Sequence, residues 1–339
     1  MLFALTAVTS HAQIAPSPEP FVVGQGTFGG GGGWLAYRGD RPDFEPRTWR
    51  QLPWPAYNVT GGAVHPAMGD VDGDGRDEIV LGVDTGGGGW MAVLDDREHD
   101  NALLAWLQVP FPTYNATNGA VFPAVGDLDG DGRAEIVAGL GRAGGGRFAI
   151  FDDAATGFSF LRSQQVQWPV YTEGADGRTH VAVGDLTGDG SSEIIVGLGP
   201  GSGGWIEIFK DASGGFGHHG WLQVAWPAYN ALNGTVYPAA GDLDGDGRAE
   251  VVAGLGAGAN GWVEVIDGRA PYGHLAWKQV AWTDYNARSG ETHPAVGNID
   301  SDPGAEVIVG LAEYSGDGGW FAILDDLDAG LGHLAWRNL

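Results

Sequence analysis

The sequence predicts an all-β chain, folded as a β-propeller of about six four-stranded blades, with seven as the alternative count. Three observations carry that prediction. An acidic loop recurs: GDVDGDGRDEIVLG begins at Gly69 and returns in variant form at Gly126, Gly184, Gly241 and Gly297, in steps of 57, 58, 57 and 56 residues. A second marker keeps that period, because Trp34, Trp90, Arg147, Trp205, Trp262 and Trp320 each follow a glycine run. Between the markers lie short runs rich in Val and Ile, such as 135–139 and 193–197, which read as buried strands. One such unit cannot bury both of its faces alone, so stacking around a ring supplies the core.

Each unit divides into four strands. The first enters the acidic loop (HPAMGD, FPAVGD, HVAVGD, YPAAGD, HPAVGN) and the second leaves it (EIVLG and its copies). The third starts at the glycine–tryptophan step (GWMAVLD, GWIEIF, GWVEVID), and the fourth is of the LAWLQV type. Gly, Asn and Asp turns separate them, and no helical periodicity is present. The first unit begins late. FVVGQG at 21–26 aligns with a second strand, and no copy of a first strand or acidic loop precedes it. The sequence stops at Leu339 inside the last fourth strand, so no spare strand is visible to close the ring.

Residues 2–8 are apolar and are followed by Ser10-His11-Ala12. They read either as a secretory signal with a small-x-Ala cleavage site, though without a basic n-region, or as a degenerate inner strand of the first blade. Three prolines make 14–20 a stiff linker. The expected organisation is therefore 1–20 as leader and linker or strand, and 21–339 as a single propeller.

Composition narrows the function. Lys and Arg total 17 against 43 Asp and Glu, a net charge of −26, which argues against nucleic acid or an anionic membrane as partner. Glycine is 61 of 339 residues, yet hydrophobic residues are 43% and Trp numbers 14, so the chain folds. The absence of cysteine removes disulfides, thiol catalysis and cysteine–zinc sites together. No apolar run approaches the ~18 residues of a membrane span.

The acidic loops read as cation sites. In the first, Asp70, Asp72 and Asp74 offer side-chain oxygens at alternate positions, Arg76 its carbonyl, and Glu78 a further carboxylate. The same positions are Asp127, Asp129, Asp131, Arg133 and Glu135, then Asp185, Thr187, Asp189, Ser191 and Glu193. Next come Asp242, Asp244, Asp246, Arg248 and Glu250, and finally Asn298, Asp300, Asp302, Gly304 and Glu306. Alternating carboxylates in a tight loop suit Ca²⁺, whereas Mg²⁺ prefers a smaller cage that keeps its waters. Zn²⁺ calls for His or Cys, which the loops lack. Four to five Ca²⁺ are expected, and five would bring the formal charge from −26 to −16. Thr187 weakens the third site. Asn298 and Pro303 set the fifth apart.

The string D-x-D-G-D-G-x-x-E-I-V-x-G-L-G resembles the FG-GAP/VCBS repeat of integrin-α-like calcium-binding propellers. The resemblance covers nearly all of 21–339, and five of the six units carry the motif. It implies that the acidic loop joins the innermost strand to the next and that Ca²⁺ stiffens it. It does not specify an activity, because such propellers occur in adhesins, lectins, secreted surface proteins and some carbohydrate-active enzymes.

The 14 Trp fall into three columns of the repeat. Blade packing is the first expectation for all of them. The column Trp54, Trp168, Trp226 and Trp282, with Phe111 in the remaining place, is the candidate for stacking on sugars, since it lies in a Pro-containing connection between units. Tyr57, Tyr114, Tyr171, Tyr229 and Tyr285 accompany it. His65, His180 and His293 alternate with Phe122 and Tyr237, which suggests packing or a channel lining. Sequons begin at Asn58, Asn115 and Asn233. Arg147 is the most visible break in the repeat. No Ser/His/Asp set stands out, so a non-enzyme is expected. The favoured reading is a secreted or cell-surface calcium-binding module for adhesion to an extracellular protein or glycan. A lectin and a secreted carbohydrate-active enzyme are the alternatives.

Overall fold

The computed structural model describes residues 5–6, 21–24, 32–38, 46–60, 62–96, 99–174, 176–300, 302–312 and 319–338. Apolar residues alternate with glycine over short runs, and these runs form six separate four-stranded antiparallel sheets. Each sheet is one blade, and in each the strands lie side by side in chain order. Blade 2 is representative: Val64–Gly69 innermost, then Glu78–Val83, Trp90–Leu94, and Leu103–Gln108 outermost. The two inner strands are fully buried, and the outermost is mostly exposed. The central-strand glycines follow from blade packing. A Cβ on Gly82 would lie 2.2 Å from the Val121 carbonyl oxygen of the next blade, and Gly139, Gly197 and Gly254 meet the same obstacle.

The first blade has an innermost strand after all. Leu5–Thr6 pairs antiparallel with Phe21–Gly24, in the register Leu5↔Val23. The remainder of 2–8 and the linker 14–20 lie outside the described residues. The ring closes without a shared strand, which accounts for the missing spare strand at the C-terminus. Phe21 and Val23 of blade 1 share one buried cluster with Ala295, Ile308, Phe321 and Ile323 of blade 6. Phe21 and Phe321 meet edge to face at 5.9 Å.

The connections between blades correct the expectation of a helix-free chain. Five helices of six residues are described: α1 (Pro55–Thr60), α2 (Pro112–Thr117), α3 (Pro169–Gly174), α4 (Pro227–Leu232) and α5 (Thr283–Arg288). They are too short to show a helical period. Their signal is the proline at the first helical position of four of them, which has no N–H to lose there.

The tyrosine of each helix is a buried strut. Tyr229 Oη donates to the Thr235 carbonyl at 2.6 Å and accepts from Gly256 N at 2.6 Å. It thereby ties the start of one blade's first strand to the end of its second. Tyr57, Tyr114, Tyr171 and Tyr285 repeat the arrangement. The following asparagine is also structural. Asn58, Asn115, Asn230 and Asn286 donate Nδ2 to the carbonyls of Leu52, Val109, Val224 and Val280. Two of the three sequons, at Asn58 and Asn115, thus have their acceptor nitrogen engaged inside the fold.

Candidate metal centre

Each acidic loop connects the innermost strand to the second, on the face of the ring away from the helices. The first aspartate organises the loop. Asp70 accepts from Gly73 N at 2.6 Å and Asp74 N at 3.2 Å on Oδ1, and from Gly75 N at 2.8 Å on Oδ2. Asp127 and Asp185 receive the equivalent glycine N–H groups. Gly75 has φ of 88°, a left-handed turn that glycine adopts without strain. Position five caps position seven in every copy, as in Asp74 accepting from Arg76 N at 3.0 Å.

The glutamate is the informative residue. Glu78, Glu135, Glu193, Glu250 and Glu306 are all buried, at 0 to 3% exposure. In each, Oε2 accepts from the backbone N–H of the residue after the first loop position, at 2.7 to 3.0 Å. The other oxygen, Oε1, of Glu78 and Glu135 is buried with no hydrogen-bond partner. A buried carboxylate oxygen without a donor is costly unless a cation meets it. These residues therefore fit a bound cation.

Ligand atoms of Asp70, Asp72 and Glu78 lie within 4.8 Å of one another, as do those of Asp127, Asp129 and Glu135. The fifth position is different. Asp74 groups instead with Asp96 and His99.

The structure adds acidic residues that the loop motif did not include. They come from the exit of the third strand. Asp95 and Asp96 group with Glu78, and Asp325 joins Asp300, Asp302 and Glu306. Asp325 thus brings a fourth carboxylate to the loop that has neutral Asn298 in first place. Asn298 Nδ2 donates to the Asp302 carbonyl. The signal was present in the sequence as DD at 95–96, 152–153 and 325–326, but strand pairing is needed to bring it beside the loop.

Neighbouring loops are joined in a row from blade 2 to blade 6. Ala134, Ser192, Ala249 and Ala305 each donate a backbone N–H to the first loop residue of the preceding blade, at 2.7 to 2.8 Å. The Arg133 side chain covers Gly73, Arg248 covers Gly188, and Pro303 does the same for Gly245. Pro303 therefore has a packing role, which explains its place in the fifth loop.

Burial, with the nearby aspartates adding, pushes Glu78 up to about 9 and Glu135 to about 8. The same causes bring Glu193 and Glu250 to about 7. In metal-free protein these groups hold protons that the unfolded chain has released. Their raised values contribute stability that is complete below the usual glutamate range and is lost as pH rises through 7 to 9. In EDTA, the melting temperature should therefore fall steadily from pH 6 to pH 9. A flat profile by calorimetry would show that the glutamates are not buried as described.

The aromatic column proposed for sugars is built into the blade junctions. Trp54, Trp168, Trp226 and Trp282 are half-buried. They meet Trp106, Trp221, Trp277 and Trp336 of the next blade edge to face, at 5.7 to 6.5 Å. Each of the four therefore has a packing role. At the helical end of the axis, His65, Phe122, His180, Tyr237 and His293 form an arc of rings with centroids 4.1 to 5.1 Å apart. Burial, together with Arg178, lowers His180 well below its usual value and keeps it neutral.

Residues 127–196 match the family model for the FG-GAP-like repeat. That match and the six blades fit an FG-GAP repeat propeller. Among curated proteins, none matches the chain. Solved structures do. A protein from Lactobacillus plantarum is similar at 15% identity with a TM-score of 0.51, over 95% of this chain and 82% of that one. The Dos1 propeller matches at 13% identity and TM-score 0.48, over 91% of this chain. A rhamnogalacturonan lyase from Bacillus licheniformis matches at 16% identity and TM-score 0.44, over 90% of this chain. The chain spans 66% of the Dos1 propeller and 59% of the lyase. At these identities the likeness is one of fold. No helix among the described residues is long and apolar enough to cross a membrane.

Proposed function

We propose that this propeller is a calcium-stabilised recognition module, displayed outside the cell and binding a protein or glycan partner without catalysis. The observation that carries the calcium half is the buried glutamate with an unpartnered Oε1, set among loop carboxylates. Asp70, Asp72 and Glu78 would hold the ion in the first loop, with the equivalent residues in the others and Asp325 in the last. Calcium would supply positive charge where carboxylates crowd, and oxygen donors alone suit a hard cation. Outside cells calcium is abundant enough to fill weak sites, and a chain without cysteine gains rigidity from metal instead of disulfides. The long rim of a ring is a recognition surface, and the helical face stays free when the opposite face holds metal.

The test is a calcium count by native mass spectrometry with isothermal titration. Four to five ions are expected on the wild-type chain. Glu135→Gln keeps an acceptor for Leu128 N but removes the charge, and it should bind one ion fewer with its circular dichroism unchanged. No calcium uptake at millimolar concentration would end the reading, and an unchanged count in the variant would remove that loop from it.

A further inference from the structure

Blade 3 departs from the repeat in one place, on the face opposite the acidic loops. Arg147 stands where the other blades have Trp34, Trp90, Trp205, Trp262 and Trp320. Ser163 pairs with Ala149 where Trp106 pairs with Ala92, so a second indole is lost. In α3 and just before it, Thr172 replaces the repeated asparagine, and Gln167 replaces a proline or alanine. Of these, Arg147, Gln167 and Thr172 line one cleft.

What they leave is an open cleft. In blades 2 and 4 the indoles lie over a glycine. A Cβ on Gly88 or Gly203 would meet Trp90 or Trp205 Cδ1 at 3.5 Å. The equivalent Gly145 has the same left-handed backbone, φ 67°, but its nearest atom would be the Thr172 carbonyl oxygen at 3.9 Å. An open cavity of about 550 Å³ lies here, lined by Gly145, Arg147, Gln165, Gln167, Pro169 and Thr172. That is within the ~300–1,000 Å³ of small-ligand clefts.

The lining is fixed in place. Val166 N donates to the Gly146 carbonyl at 2.9 Å, and Gln167 N donates to Glu207 Oε2 at 2.8 Å. Gln165 Nε2 donates to the Gly145 carbonyl at 2.8 Å, as the corresponding glutamines do in other blades. The Arg147 guanidinium is exposed, 5.9 Å from the Phe111 ring centroid, and has no carboxylate partner among the described residues. Arg142, on the preceding turn, is also exposed. Arg147 is one of only 17 basic residues in a chain of charge −26.

We propose that this cleft binds a carboxylate carried on a six-membered ring, as in a uronate or an aromatic acid. The ring lies where an indole lies in the other blades, over Gly145 and against Pro169. Arg147 holds the carboxylate, because its planar fork matches the two oxygens. Gln167 and Thr172 offer polar groups at the rim. The site deepens the recognition reading above, but it is on the other face and does not depend on calcium.

The experiment uses the full chain loaded with calcium, titrated with sodium glucuronate, sodium benzoate and glucose and followed by side-chain NMR. Saturable binding of an acid in the millimolar range is expected, with shifts at Arg147, Gln165 and Gln167 and none with glucose. Whichever acid binds more tightly identifies the source, sugar or aromatic. Arg147→Trp restores the repeat residue and should abolish binding. Arg147→Gln should weaken it about tenfold or more and guards against a misfolded tryptophan variant. Absence of binding by both acids up to about 50 mM, far above the ~1 mM that corresponds to about −4 kcal/mol, would overturn the proposal. So would equal binding of glucose, or binding retained in both variants. A calcium count on the same sample separates this failure from failure of the metal sites.

Discussion

Chelation of calcium should lower the melting temperature of this protein by on the order of 10 °C, the largest single effect expected of it. A ligand that binds only the folded state stabilises it by ~2.7 kcal/mol per site at a hundredfold excess over its dissociation constant. Four or five such sites supply about 11–13 kcal/mol, comparable with the whole net stability of a domain, roughly 5–15 kcal/mol. The five loops also form a continuous row, since each of the last four donates a backbone N–H to the loop before it. Emptying them weakens the four blade junctions that these bonds span. The repelling carboxylates then add their own cost, most of all around Glu78, where Asp70, Asp72, Asp95 and Asp96 crowd together. The measurement is a calorimetric melt in 1 mM free calcium and in EGTA. An unchanged melting temperature would mean that the loops are solvated turns, and the extracellular setting would lose its main support.

Tyr229→Phe should cost about 2–4 kcal/mol, a large effect for the loss of one oxygen. The hydroxyl is buried and makes two bonds, to the Thr235 carbonyl and from Gly256 N, both at 2.6 Å. Removing it strips the short bond from each partner and leaves them only their direct contact, Gly256 N to the Thr235 carbonyl at 3.3 Å, at ~1–3 kcal/mol for each weakened group. Burial holds the phenol in its neutral form, well above the usual tyrosine range, so the bonds persist at all working pH values. Urea unfolding with calcium saturating isolates this effect from the metal. A loss below about 0.5 kcal/mol, typical of a surface substitution, would show that water replaces the hydroxyl. Tyr114→Phe, with the same two bonds, should behave alike.

The repeat made the strands and the acidic loops legible. A strand that pairs on both sides needs apolar residues and glycine where the next blade's backbone approaches, and both are written in EIVLG and its copies. The loop glutamate was legible for the same reason, as part of a spaced motif. Other features were not. The helices escaped notice because six residues are fewer than two turns, too few for a period to emerge. The asparagines at 58 and 115 matched a modification sequon, whereas the fold uses their side chains to hold the connection. Asp95 and Asp325 were visible as letters, but only hairpin pairing places them by the glutamate.

Arg147 shows the division most clearly. As a letter it is a single exception in a column of tryptophans, with no evident meaning. In three dimensions it lines one cleft with Gln167 and Thr172, which come from the connection to the next blade and its helix. The sequence by itself determined the strand order and the spacing of the loop carboxylates, and put the blade count at about six, because these depend on contacts within a unit and the unit is repeated. Only the tertiary structure decided how the ring closes, which outlying carboxylates join each loop, and where the one irregular blade opens. Those depend on residues brought together from different strands and different blades, and no local pattern records such distances.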